Sequence, residues 1–417
     1  MRKSRFSYQW VIVGCCFLMV FTALGFGSSP RKLYMVAVPK ALGLDYGPYS
    51  LSETFRYAAT SIINLFFGAL VIKLGVRKMI GAGFALLASA MLIFSAAESL
   101  PVIYLGGLLL GAGLTMTSTT MSSYVVNLWC KENKGTITGL VLCANGLGGA
   151  TAMQILSPII NESLFSYRSA YRLTALIMLA VGIVIVLLFR NAPSSDTPVP
   201  PAGKKQPKKP THEGITLQQA LRKPYFYIAA VSIFPTGMVL QGIVGSDANH
   251  MNHVGLDQAS VAAALSIHAL ALSGCKFLTG ALYDRKGLKI TMLICDCAAL
   301  LTLLLLIFIN DSSWGRMMAY GYSLMSAVAL PLETIMLPLI TAELFGQRSY
   351  AQMLGIVSAI NTLGFSFGPP FTNFVFDALG TYVPVFWAYL LVMALVTAAF
   401  MYALSAAARD HAVGENR

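Results

Sequence analysis

Runs of about 20 mostly apolar residues, the length needed to cross a hydrocarbon core, recur along nearly the whole chain. Inside a bilayer every backbone N–H and C=O must be bonded within the protein, so a chain of such runs folds as a set of transmembrane helices. Hydrophobic residues make up 56% of the 417 and charged residues only 11%, against roughly a quarter charged in soluble proteins. No stretch is left over for a soluble domain. The first run starts at Trp10 and continues beyond the roughly 7–15 apolar residues of a signal peptide without a small-residue cleavage site, so it reads as a retained first span.

Apolar periodicity predicts twelve spans, at roughly 10–38, 50–74, 79–98, 101–128, 136–159, 169–190, 223–248, 258–283, 288–310, 315–342, 351–376 and 382–406. An even count returns both termini to one side. When the Lys and Arg residues are assigned to alternating loops, 21 of the 29 fall on the side of the termini, 4 on the other and 4 within spans. Positive loops resist translocation, so both termini are expected in the cytoplasm, in a cell (cytoplasmic or inner) membrane. The net charge of +12 is therefore topological, and a nucleic-acid partner is not expected.

Residues 191–211, NAPSSDTPVPPAGKKQPKKPT, are Pro-rich, basic and aperiodic, as in a flexible linker. The following ITLQQALRKPYFY is amphipathic and is expected on the membrane surface. The chain thus divides into an N-terminal six-helix bundle (1–190), a linker with its amphipathic segment (191–222) and a C-terminal six-helix bundle (223–417). The halves repeat: at an offset of 212, residues 43–75 match 255–287 at Gly43/Gly255, Asp45/Asp257, Gly68/Gly280 and Gly75/Gly287. Two six-helix repeats form the plan of a secondary transporter whose site lies between the halves near the bilayer midplane.

Residues 280–287, GALYDRKG, resemble the loop signature Gly-x-Leu-x-Asp-Arg-x-Gly of the major facilitator superfamily. The resemblance implies an all-α fold of two pseudo-symmetric six-helix bundles. It also implies gating roles for Gly280, Asp284 and Arg285, and for Gly68 and Arg77 in the first-half copy, GALVIKLGVRK, where Ile72 replaces the acid. NLWCKENKGTITGLVLCANGLGGA at 127–150 is similar to the monocarboxylate and oxalate/formate branch, and ELFGQRSYAQMLG at 343–355 echoes it. Branch members usually carry a carboxylate-binding Arg on helix 8; Lys276 stands there, which keeps the cation and loses the bidentate fork. The Lys that oxalate-type members carry on helix 11 is also missing, and that stretch offers only Asn361.

Ionisable residues inside spans are expensive to insert and are functional candidates by default. At 1.5 Å per residue, Lys276, Glu333, Asn145, Asn361 and Asn64 come out near the midplane. In the functional reading Lys276 binds a carboxylate, the asparagines orient it, and Glu333 takes a proton or pairs with Lys276; in the alternative Lys276 and Glu333 form a permanent structural pair. An outer layer holds Arg56 and its repeat partner His268. Arg56 either draws in anions or pairs with Glu53, and His268 either titrates or bonds between helices. Arg31 and Lys32 follow Pro30, where the first span should kink, and either face the vestibule or snorkel. Asp296 reads as structural.

Seven cysteines lack metal or disulfide spacing, and no phosphate loop, metal cluster or nucleophile triad is present, so neither an enzyme nor a cofactor is expected. The expectation is a secondary carrier of a small organic anion, a mono- or dicarboxylate, coupled to a proton or counter-anion and acting as a monomer in the lipid bilayer. The alternatives are a proton-coupled drug exporter of the same fold and a transport-inactive membrane sensor.

Overall fold

A computed structural model describes residues 3–44, 46–130, 132–163, 165–190 and 216–415. Most of the expected linker, 191–215, lies outside the described residues. Among the described residues the regular structure is entirely helical.

The first span is α1 (Lys3–Ala23) and α2 (Arg31–Leu42), and the second is α3 (Tyr46–Leu65) and α4 (Phe67–Leu74). Next come α5 (Val76–Ala96), the broken pair α6 (Leu100–Thr117) and α7 (Thr119–Trp129), α8 (Lys134–Glu162) and α9 (Tyr167–Leu188). After the four-residue α10 (Leu217–Ala220), the second half has α11 (Pro224–His253), α12 (Gln258–Lys286) and α13 (Leu288–Phe308). It continues with α14 (Ser313–Ala329), a π-helical turn (Leu332–Met336), α15 (Leu337–Phe345), α16 (Tyr350–Leu379) and α17 (Val383–Glu415). Among the described residues nine spans are long and apolar enough to cross a membrane unaided, and the bent pair α3/α4 makes a tenth. The broken α1/α2 and the 30-residue α16, rich in Ser, Thr and Asn, complete the twelve.

Three local features depart from straight spans. The first span breaks over Leu24–Pro30, more than a proline kink requires, because Gly25 lies backbone-to-backbone against Gly148 of α8. The second bends by 62° at Phe66. The amphipathic segment is helical for one turn only; Thr216 and Gln219 cap each other's backbone N–H, and Pro224 then opens α11.

Elsewhere the ends follow local rules. Gly75 and Gly287, repeat partners, turn the chain between α4/α5 and α12/α13 at φ 76° and 80°, where a Cβ would be strained. Asp257 caps α12 through the N–H (3.0 Å) and hydroxyl (2.7 Å) of Ser260, and these bonds hold its carboxyl below the usual carboxylate range.

The halves meet along two helix pairs, α8 with α12 and α3/α4 with α16. The face where α1 begins and α17 ends carries the basic loops, and here the contacts are backbone-tight. A Cβ on Gly280 would enter the Gly135 main chain, and one on Gly139 would meet the Lys276 carbonyl. The other pair mirrors this: Gly68 lies against the Gln352 backbone and Gly355 against the Asn64 carbonyl. Small residues of this kind let helices approach in lipid, where burial of apolar surface supplies no drive.

Gly280→Ala should therefore lower the thermal unfolding midpoint in detergent, at a cost of about 1–3 kcal/mol for overpacking. Gly274→Ala, one to two turns away on the same helix with nothing within 4 Å of the new Cβ, should leave it unchanged.

Candidate functional site

Lys276 sits on α12 where that helix crosses α8 of the other half, and it is 6% exposed. Its ammonium lies close enough to Glu333 and Cys143 for a direct electrostatic effect on both. No ion pair within 4.0 Å joins it to Glu333, so the two are not in contact in this structure.

Glu333 is occupied from elsewhere. Its Oε1 accepts a 2.6 Å bond from Nε2 of Gln241 on α11, while Oε2 is buried without a protein partner. It lies in the π-helical turn bounded by Pro331 and Pro338. In that register the donor to the Glu333 carbonyl would be the N–H of residue 338, which proline lacks. Nδ2 of Asn361 on α16 supplies a donor instead, at 3.4 Å, leaving Oδ1 of Asn361 unpartnered against Gly237. Lys276, Glu333, Gln241 and Asn361 thus form one buried polar group spanning four helices.

The other two asparagines are not part of it. Asn145, which stands 216 residues before Asn361 just as Gly139 stands before Gly355, places Oδ1 at 3.5 Å from the Ser29 hydroxyl in the break of the first span. Asn64 is buried at the bend of the second span, with Oδ1 unpartnered.

The outer layer holds two cations on one carboxylate. Nε of Arg31 lies 2.9 Å from Oε1 of Glu53, and Arg56 grips Oε2 through Nε (2.7 Å) and a terminal nitrogen (2.5 Å). The guanidinium of Arg56 lies 4.1 Å from the centre of the Tyr57 ring. The trio carries one net positive charge. Arg56 is buried, whereas the Arg31 side chain keeps 38% exposure and lines a cleft of about 450 Å³, open solvent included. Tyr34, stacked on Tyr171 at 3.8 Å, forms its wall with Tyr49. This cleft is at the end remote from the basic face. The side chain of Lys32 lies outside the described residues. His268, the repeat partner of Arg56, sets Nδ1 at 2.6 Å from the Ser326 hydroxyl.

At the basic face Asp284 accepts from the N–H groups of Gly135 (3.0 Å) and Thr136 (2.6 Å), the first turn of α8. Asn133, in the left-handed region at φ 51°, gives α8 no side-chain cap. The cap is therefore delivered by the other half, with its charge at the positive helix end.

A twelve-span, two-half helical body with a loop acid capping the opposite half narrows the family. The Major Facilitator Superfamily profile matches residues 10–330 and 242–416. The chain belongs to the Major Facilitator Superfamily. It is similar to the human monocarboxylate transporter 11, 28% identical over 340 residues, covering 76% of this chain and 66% of that protein, so it spans about two thirds of that relative's length. It is also similar to the oxalate:formate antiporter of Oxalobacter formigenes, 22% identical over 54% of this chain and 51% of that one. Among solved structures, the superfamily transporter FucP in the outward conformation covers 96% of this chain and 98% of its own, with a TM-score of 0.69 at 18% identity.

The superfamily signature loop is lopsided here. Ile72, where the first half lacks the acid, is 73% exposed, so α16 receives no counterpart of the Asp284 cap from it. Arg77 instead donates from Nε to the Val186 carbonyl of α9 at 2.7 Å, and Arg285 is exposed. A second link joins the halves, from Nδ2 of Asn127 to Oε1 of Gln347 at 2.6 Å, with Lys134 donating to Oδ1 of Asn127 at 2.7 Å.

Sequence reasoning missed Gln241, Tyr34, Tyr49, Tyr171 and the buried pair Asp247–Tyr322. The prolines 331 and 338 flanking Glu333 were the available signal for the π-helical turn.

Asp284→Ala removes a cap worth about 1 kcal/mol, roughly a fivefold bias. Spin-label distances between basic-face loops of the two halves should then shift toward the separated population; an unchanged distribution would mean that the cap does not hold this face shut.

Proposed function

We propose that the protein is a secondary active carrier moving a small organic anion, a mono- or dicarboxylate, across the cytoplasmic membrane by alternating access, coupled by proton symport or anion exchange. The observation that carries this reading is Lys276, a buried cation at the crossing of helices from opposite halves, without a contact counter-ion. Burying an unpaired charge is unfavourable by several kcal/mol, and a mobile anion supplies what the fold leaves out.

The remaining assignments follow from it. Arg31 and Arg56, sharing one carboxylate, attract anions to the outer cleft. Glu333 and His268 are the candidates for carrying a proton; Asn361, bonded at the Glu333 main chain, orients the cargo, with Asn145 and Asn64 lining its path. The basic face is cytoplasmic, both termini included. The two bundles, 1–190 and 223–417, rock about the glycine contacts while Asp284, with Gly68, Gly280, Arg77 and Arg285 around it, locks and releases that face. The names of the similar proteins, monocarboxylate transporters and an oxalate:formate antiporter, agree with such a cargo.

The aromatic wall of the outer cleft also fits export of a lipophilic cation, and one screen separates the two readings. Purified protein should be thermally stabilised by mono- or dicarboxylates; stabilisation by lipophilic cations alone would remove the anion. In proteoliposomes Lys276→Ala should cut carboxylate uptake by at least about 30-fold, matching the roughly 2 kcal/mol or more lost when a buried charge loses its partner. Lys276→Arg should retain part of it. Full uptake by the alanine variant would put the binding cation elsewhere.

A further inference from the structure

The second half holds a buried acid that the anion site does not use. Asp247 on α11 is 3% exposed and accepts a 2.8 Å bond from the hydroxyl of Tyr322 on α14, itself fully buried. Ser326 follows Tyr322 by one helical turn on the same face of α14. Ser326 in turn meets Nδ1 of His268 on α12 at 2.6 Å. Two hydrogen-bonded pairs, Asp247–Tyr322 and Ser326–His268, therefore stand one helical turn apart along α14 and bring four proton-bearing side chains from three helices into one row.

The row has a direction. At 1.5 Å per residue, Asp247 lies about 9 Å inside the end of α11 remote from the basic face, Tyr322 about 14 Å inside that end of α14, and Ser326 and His268 about 15–20 Å inside. Lys276 is a further eight residues, about 12 Å, along the helix that carries His268. Titratable neighbours on the elements packed around α11 have bonds of their own. His250, one turn on in α11, bonds the Leu306 carbonyl of α13 at 2.8 Å, and Tyr389 of α17 bonds Thr372 of α16 at 2.7 Å.

We propose that Asp247, Tyr322 and Ser326 form a relay that passes the coupling proton from the outer side of the protein to His268. This rests on the proton-coupled form of the carrier reading. Asp247 takes a proton from solvent. Its O–H bond then breaks as the Tyr322 oxygen is protonated, the original Tyr322 O–H breaks toward Ser326 Oγ, and the original Ser326 O–H breaks as the Nδ1–H bond of His268 forms. A carboxylic acid and a neutral imidazole become a carboxylate and an imidazolium; no redox partner is involved. Ser326 Oγ also lies 3.2 Å from the Ser323 carbonyl, a resting direction for its proton between transfers. The imidazolium adds positive charge on α12 above Lys276, so proton arrival favours anion entry.

Infrared spectra after a pH jump on protein in lipid nanodiscs test the relay without any cargo. The expected result is a carboxyl band removed by Asp247→Asn and an imidazole band removed by His268→Gln, with the imidazole band developing at least about tenfold more slowly in Tyr322→Phe, a barrier rise of about 1.4 kcal/mol. Unchanged kinetics in both Tyr322→Phe and Ser326→Ala, or no titrating carboxyl lost in Asp247→Asn, would overturn the relay. In proteoliposomes Asp247→Asn should lose accumulation driven by a proton gradient while keeping anion counterflow; accumulation at the wild-type level would also overturn it. A wild type that carries no carboxylate would sink the cargo reading and leave the infrared result to decide the relay.

Discussion

Everything that positions the candidate site depends on helix backbones of the two halves touching where glycine removes the Cβ. Gly139 against the Lys276 carbonyl and Gly355 against the Asn64 carbonyl are the same contact made twice, once on each side of the molecular pseudo-axis. In a bilayer such contacts are held by dispersion, individually about 0.1–0.2 kcal/mol per atom pair. That is enough to set a geometry and weak enough to be broken and remade. The contact also decides which side chains reach the axis, because the residue whose carbonyl meets the glycine is carried to the crossing with it. In one half that residue is a lysine, in the other an asparagine.

The scaffold is symmetric and its chemistry is not. One signature loop keeps its acid and caps α8 across the interface, while the other presents the exposed Ile72. Asn361 is drawn to the π-helical turn and Glu333, whereas its counterpart Asn145 faces the broken first span. The first half holds two guanidiniums on one carboxylate; the second holds the buried acids Asp247, Asp296 and Glu333. Duplication supplies two frames, and divergence has placed a cation cluster in one and the buried acids in the other, with Lys276 at the boundary.

The fold was legible because lipid imposes one-dimensional rules. Apolar run length locates the spans, and the 212-residue repeat sets Asn64 at the position of Lys276. What stayed hidden were partners rather than elements. Glu53 could be paired with Arg56 at helical spacing, but its second bond to Arg31 depends on how far the first span breaks. Gln241 and Tyr322 carry no charge, so no insertion cost drew attention to them, yet they hold two of the buried acids. At the bend at Phe66 only Gly68, two residues on, is a local signal, and its approach to the Gln352 backbone of α16 is a contact between the halves that the sequence does not encode.

The π-helical turn gives the site a mechanical consequence. Because Pro338 cannot donate to the Glu333 carbonyl, the backbone of the tenth span is completed by Asn361 of α16, and the Glu333 side chain is completed by Gln241 of α11. Helix α16 packs on α11 within its own half and on α3 in the other, where Gly355 meets the Asn64 carbonyl. A change of charge at Glu333 therefore alters the electrostatics at the very turn that Asn361 bonds, and α16 is also the helix that packs on the opposite half. Proline and asparagine at these two positions tie the acid to the helix that forms the interface between the halves, which an ordinary α-helical tenth span, bonded wholly within itself, would not do.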